Sequence, residues 1–134
     1  MAVNAASYNI WVKGIQVTDA NKNNVLGDGK VTYLSSDNRL ELNGANITAP
    51  TSGSSKEAKM ALCIKQDITV VIRKTVTLTG NGDNPAMALW GGHNVTFSTL
   101  VGEDCSCTVK IVEDEIAHVV VIPLGNDKHE FIVF

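Results

Sequence analysis

From Tyr8 onward the chain alternates apolar and polar residues with a period of two in almost every segment: Tyr8, Ile10 and Val12, then Ile15 and Val17, then Leu40 and Leu42, then Ala45 and Ile47. A period of two puts every second side chain on one face of an extended strand, so each segment offers one face for burial and one for water. No window of a dozen residues carries the 3.6-residue spacing of an amphipathic helix. Residues 54–64, SSKEAKMALCI, come closest and have room for a turn or two. The alternation predicts an all-β chain.

The pattern also repeats at longer range. Residues 61–85 hold three short strands that end on a Gly/Asn/Asp cluster, and residues 86–111 offer the same order. Leu62 and Ile64 correspond to Met87 and Leu89, Ile68, Val70 and Ile72 to Val95 and Phe97, and Val76 and Leu78 to Val109 and Ile111. The separations, about 25 to 33 residues, suit one turn of a β-solenoid, in which each strand pairs in parallel with its successor and like residues stack inside. RLELNGANIT supplies an earlier turn and HVVVIPLGNDKHEFIVF a last one. The outward residues Thr69, Arg73, Thr77, Thr79, Thr96, Ser98, Thr108 and Lys110 then form ladders on the outer faces. A stack of this kind needs its ends protected from edge-to-edge growth. Residues 8–33 read as a β-hairpin-like N-terminal cap, with VKGIQV reversing at Lys13-Gly14, and residues 34–134 as about three to four turns of the stack. FIVF, apolar to the last residue, is either covered by its own fold or an oligomer contact.

Composition narrows the function classes. At 134 residues the chain fits a single domain, 1–134, with a core of useful size. Hydrophobic residues reach 44% but aromatic ones only 5%, so the core rests on Val, Ile, Leu and Ala, as thin β layers require. The net charge of -3 with no long run of either sign argues against a nucleic-acid partner. No apolar run approaches the roughly 20 residues of a membrane helix, and no export signal is visible, so membrane insertion is not expected. Met1 before AVNAAS is compatible with a start codon placed on a trimmed mature protein, so location has to be argued otherwise.

A resemblance enters at residues 8–48. The segment carries Gly14, Val17 and Thr18, then Gly27-Asp28-Gly29, Tyr33, Asn38, Leu40, Leu42, Ala45 and Ile47. In this it resembles the opening of small right-handed parallel β-helix modules from surface and secreted proteins of gut and other anaerobic bacteria. The resemblance implies a short right-handed parallel β-helix, a secreted or cell-surface location, and a class whose members are mostly uncharacterised or labelled carbohydrate-binding. The later turns agree only in style, and the brevity of the chain departs from modules with an extended glycan groove.

Within that segment, DANKNNVLGDGK places Asp19, Asn21 and Asn23 at the first, third and fifth positions of a calcium loop, with Asp28 beyond them and Asn24 as a candidate for the left-handed conformation. Lys30 stands twelfth, where a bidentate Glu belongs. Gly27 and Gly29 explain the reversal without metal, and Asp28 can accept a hydrogen bond from its own turn. A turn is therefore the preferred reading; calcium is the sole candidate cofactor.

Enzymatic chemistry finds less support. Pectate lyases and polygalacturonases share the β-helix and use clustered carboxylates with an Arg or Lys. Here the acidic run Glu113-Asp114-Glu115 falls between strands, where such runs are solvated turns, and no nucleophile motif, phosphate loop or histidine pair is present. A non-catalytic chain is the expectation. Cys63, Cys105 and Cys107 make an odd count without metal spacing, and Cys105 and Cys107 sit too close for an easy mutual disulfide. Cys63 bridging one of them is the alternative to three small core residues.

A binding module needs only an outer face with aromatic platforms and amides. Trp90 follows the inward residue Leu89 and precedes Gly91, Gly92, His93 and Asn94; Trp11 alternates against Ile10 and Val12. Trp90, His93, Asn94 and Trp11 are thus the candidate ligand-binding residues, with polysaccharide as the candidate partner. Packing of each indole beneath a cap or loop is the competing explanation. The competing function is a structural, adhesive or self-associating surface module, for which the apolar VVVI and FIVF stretches speak.

Overall fold

Alternating segments this short cannot bury anything alone, and their arrangement shows how each finds a partner. The computed structural model describes residues 6–50, 55–81, 86–98, 106–110, 116–125 and 128–133. The strands are β1 (Ser7–Val12), β2 (Ile15–Thr18), β3 (Val31–Leu34), β4 (Arg39–Asn43), β5 (Asn46–Thr48), β6 (Leu62–Ile64), β7 (Ile68–Arg73), β8 (Thr77–Thr79), β9 (Met87–Trp90), β10 (Asn94–Ser98), β11 (Ser106–Lys110), β12 (Ile116–Gly125) and β13 (Lys128–Val133). The helix-like residues of SSKEAKMALCI give a single 3-10 turn, Glu57–Lys59. No α-helix occurs among the described residues, so none is long and apolar enough to cross a membrane.

The chain is all-β, in three small sheets with mixed pairing and no closed barrel among the described residues. One sheet has the order β13-β12-β9-β6-β1-β2, a second β11-β10-β7-β4-β3, and a third β5-β8. The middle of the chain pairs in parallel. Leu62 and Ile64 of β6 lie beside Met87 and Leu89 of β9, and Leu40 and Leu42 of β4 beside Val70 and Ile72 of β7. Val95 and Phe97 of β10 stand beside Ile68 and Val70, and Ile47 of β5 beside Leu78 of β8. Every one of these side chains is buried. Burying each contributes roughly 1.5–3 kcal/mol, which is why like residues recur along the interior.

The two ends correct the expected order. Val109 pairs with Val95 across an antiparallel β10–β11 ladder and so does not follow Val76 and Leu78 of the third strand, while Ile111 lies outside the described residues. β12 runs antiparallel to β9 and β13 antiparallel to β12, so these two strands do not add the parallel turn expected of HVVVIPLGNDKHEFIVF. β1 likewise meets β6 in antiparallel register, with β2 returning beside it at Lys13-Gly14. A period of two serves either strand direction, and the two-residue links of β1 to β2 and of β12 to β13 are too short for a parallel crossover.

Gly14, Tyr33 and Asn38 hold backbone and hydrogen-bonding positions near the first reversals. Gly14 has φ 80°, and a Cβ there would stand 2.8 Å from the Ala58 carbonyl oxygen. Asn38 holds a left-handed φ of 49°, accepts from the Tyr33 hydroxyl at 2.7 Å and donates its amide to the Asp67 carbonyl. Burial pushes the Tyr33 phenol upward from its ordinary value, with a Gln66 amide contact opposing it.

Candidate functional site

The outer face of the six-stranded sheet gathers the two tryptophans. Register puts Trp11 beside Cys63 and Cys63 beside Ala88, while Lys65 and Trp90 each follow the paired Ile64 and Leu89 by one residue. Because Ile10, Val12, Leu62, Ile64, Met87 and Leu89 point into the core, the residues alternating with them point out. Both indoles are half-buried and pack against a small cluster of Met60, Cys63 and Ala88. Small residues at the floor let the rings lie close to the sheet, and Cys63 and Ala88 are fully covered.

Lys65 ties the two rings together. Its Nζ stands 5.9 Å from the Trp11 ring centroid and 5.1 Å from that of Trp90, within range of the ring quadrupoles. The same ammonium pairs with Glu57 Oε1 at 3.0 Å. Hydrogen bonding from its own backbone N–H, then from Lys65, holds the Glu57 carboxyl below its usual range. The 3-10 turn that carries Glu57 abuts the β1–β2 reversal, since Ala58 touches the space above Gly14. Burial pushes the Cys63 thiol up to about 12, with the Glu57 charge adding to the effect, so this thiol is neutral at physiological pH. Cys63 is a free thiol on this sheet, whereas Cys107 belongs to β11 of another sheet and Cys105 lies outside the described residues.

His93 and Asn94 occupy the corner after Trp90, where Gly92 has φ 82°. Their contacts run to Asp67: its Oδ1 accepts from the Asn94 backbone N–H at 2.8 Å and lies 3.5 Å from His93 Nδ1. Asp67 thus fastens one corner to the turn preceding β7. The four residues anticipated as a binding set divide, with Trp11 and Trp90 on a shared face and His93 and Asn94 in a corner. Lys65 and Glu57 were missed by sequence reasoning; no local pattern marks a lysine whose ring partners come from two other strands.

The Asp/Asn-rich stretch is otherwise engaged. Asp19 accepts from the Tyr8 hydroxyl at 2.6 Å and the Ala6 backbone N–H at 3.0 Å, and Lys22 Nζ lies 3.2 Å away. The Tyr8 hydrogen bond, then those from Ala6 and Lys22, lowers the Asp19 pKa. Asn21 accepts from the Thr18 backbone N–H at 2.8 Å and donates to the Gln16 carbonyl at 3.0 Å. Asn23 contributes its carbonyl to the Thr32 hydroxyl at 3.3 Å, and Asp28 accepts from the Lys30 backbone N–H at 3.0 Å. Asn24 is not left-handed; Gly27 and Gly29 are, with φ 79° and 75°. Asp19, Asn21 and Asp28 thus each already hold hydrogen-bond partners, and Lys22 stands beside the Asp19 carboxylate. Among the described residues no group of three or more His, Cys, Asp or Glu is placed to hold a metal ion. Glu113, Asp114 and Glu115 lie outside the described residues.

The chain matches no family model, no curated protein and no solved structure.

Proposed function

We propose that this chain is a non-catalytic extracellular module that binds polysaccharide on the outer face carrying Trp11 and Trp90. The observation that carries the reading is the meeting of two sequence-distant indoles, half-buried over Cys63 and Ala88, on one side of one sheet. Pyranose rings present C–H faces that stack on aromatic surfaces, and a half-buried indole is held rigidly for such contact at little entropic cost. In this reading the parallel β4–β7–β10, β6–β9 and β5–β8 ladders are the turns of a short right-handed β-helix, capped by the antiparallel ends. Its resemblance to bacterial surface modules at residues 8–48 favours a secreted or cell-surface location. The test is retention of the purified protein on immobilised bacterial, plant and host polysaccharides, with calcium and with a chelator. Wild type is retained on one class under both conditions, and Trp90→Ala and Trp11→Ala pass through. Retention of both variants at wild-type strength contradicts the assignment.

A second reading, self-association, rests on the same sheet. Ile116, beside Trp90, is 43% exposed and Ile132 of the edge strand β13 is 37% exposed, so apolar surface continues outward from the indoles. Sedimentation at rising concentration separates the readings: a monomer favours the glycan module, and a dimer lost on Ile132→Lys favours self-association.

A further inference from the structure

We infer that the polysaccharide taken by the Trp11–Trp90 face is anionic, with Lys65 as the residue that selects its charge; this rests on the glycan-binding reading above. The ammonium of Lys65 lies within cation–π range of both indoles, where a sugar stacked on either ring brings its substituents within reach. A glycan acid group near that point makes a charge-assisted contact, and the neighbouring apolar rings strengthen it by excluding water.

The surroundings reinforce the sign. Lys13 follows Trp11 by two residues at the end of β1, and Lys56 and Lys59 flank Glu57 in the turn that abuts it; all three lysines are exposed. Against these four cations stand Glu57, paired with Lys65, and Asp67, exposed and committed to the Asn94 backbone at the far corner. Four lysines in the segments that frame the indoles, in a chain of net charge -3, are a local excess of positive charge rather than a reflection of composition. Glu57 occupies the place an incoming carboxylate or sulfate takes: it sits on a single 3-10 turn, accepts a hydrogen bond from Lys65, and is displaced when a ligand acid replaces it. Glu57 thereby acts as an internal competitor, and Lys65 as a specificity-determining residue.

The experiment compares alginate with its propylene glycol ester, which keeps the uronate backbone but removes the charge, and adds dextran sulfate, all without calcium. Wild type is expected to bind alginate or dextran sulfate about tenfold more tightly than the ester, the size of one charge-assisted contact. The preference for alginate over dextran sulfate, or the reverse, tells carboxylate from sulfate. Lys65→Gln abolishes the preference for charge, and Glu57→Gln, on a short turn that buries no residue, raises affinity for the anionic polymer about threefold. Equal binding of alginate and ester overturns the charge inference and leaves the glycan reading standing. Binding to none of the three, nor to any neutral polysaccharide, overturns both. Tighter binding to a single-stranded oligothymidylate than to either acidic polymer also overturns the inference.

Discussion

The Asp/Asn-rich loop at residues 19–30 and the Trp11–Trp90 face both display side chains suited to ligands, yet they differ in what those side chains already do. In the loop, Asn21 and Asp28 accept from nearby backbone N–H groups, Asp19 accepts from the Ala6 N–H and the Tyr8 hydroxyl, and the Lys22 ammonium sits beside the Asp19 carboxylate. On the face, the indoles rest over a floor of small residues with part of each ring open, and the central ammonium pairs with a carboxylate carried on a short turn. In the loop, the side chains of Asp19, Asn21 and Asp28 already satisfy backbone or side-chain partners. On the face, the part of each ring left open is what contacts within the chain do not cover.

The sharpest way to break this contrast is at Gly14. Its φ of 80°, and the 2.8 Å that would separate an added Cβ from the Ala58 carbonyl oxygen, mean that Gly14→Ala strains the reversal and pushes the Glu57 turn off the face. Chemical denaturation is expected to show a loss of about 3 kcal/mol, from left-handed strain and backbone overlap together. A change under about 0.5 kcal/mol, the range of an ordinary surface substitution, would show that the turn does not rest on the reversal.

Next in size is the aromatic face itself. Trp90→Ala removes an indole that covers Cys63 and Ala88, and the unfolding free energy is expected to fall by about 2 kcal/mol, within the range for losing a half-buried large side chain. The covered thiol gives an independent reading. In a Cys105→Ser/Cys107→Ser background, Cys63 is expected to resist a thiol reagent such as DTNB in the native state, because it is buried and its pKa stands at about 12. Adding Trp11→Ala should raise the labelling rate about tenfold by opening the floor. Unchanged labelling would place the cover elsewhere.

The loop predicts the smallest effect. Asp19 has a folded pKa below the ordinary 3.8, so its contribution to stability is complete above that value and disappears as pH falls through the folded pKa. Asp19→Asn should therefore narrow its stability gap from wild type as acid is added below pH 3.8, while calcium or chelator leaves the thermal midpoint of wild type unmoved. A midpoint raised by calcium would make the loop a metal site.

How much of this was legible depended on strand direction. The pairs Leu62/Met87, Ile64/Leu89 and Val70/Phe97 could be aligned in the sequence because parallel neighbours place like residues at similar spacings, 25 for the first two (87 − 62, 89 − 64) and 27 for the third (97 − 70). Val109 and the β12–β13 hairpin were misplaced because alternation is blind to whether the next strand runs forward or back. Alternation offered an outward direction for Trp11 and Trp90 beside packing under a cap or loop, and both indoles are half-buried. Their meeting did not follow from it, since it depends on the antiparallel β1–β6 pair, and Lys65 became visible only once that pair brought both rings within its reach.

The chain contains two tryptophans, and both stand on the proposed face, so its intrinsic tryptophan emission reports on that face alone. The most direct measurement is therefore that emission during titration with whichever polysaccharide retains the protein. A saturable shift in emission, with the same midpoint as binding measured by retention, is the predicted result. Retention that saturates while the emission stays constant would place the glycan elsewhere on the molecule and contradict the central claim.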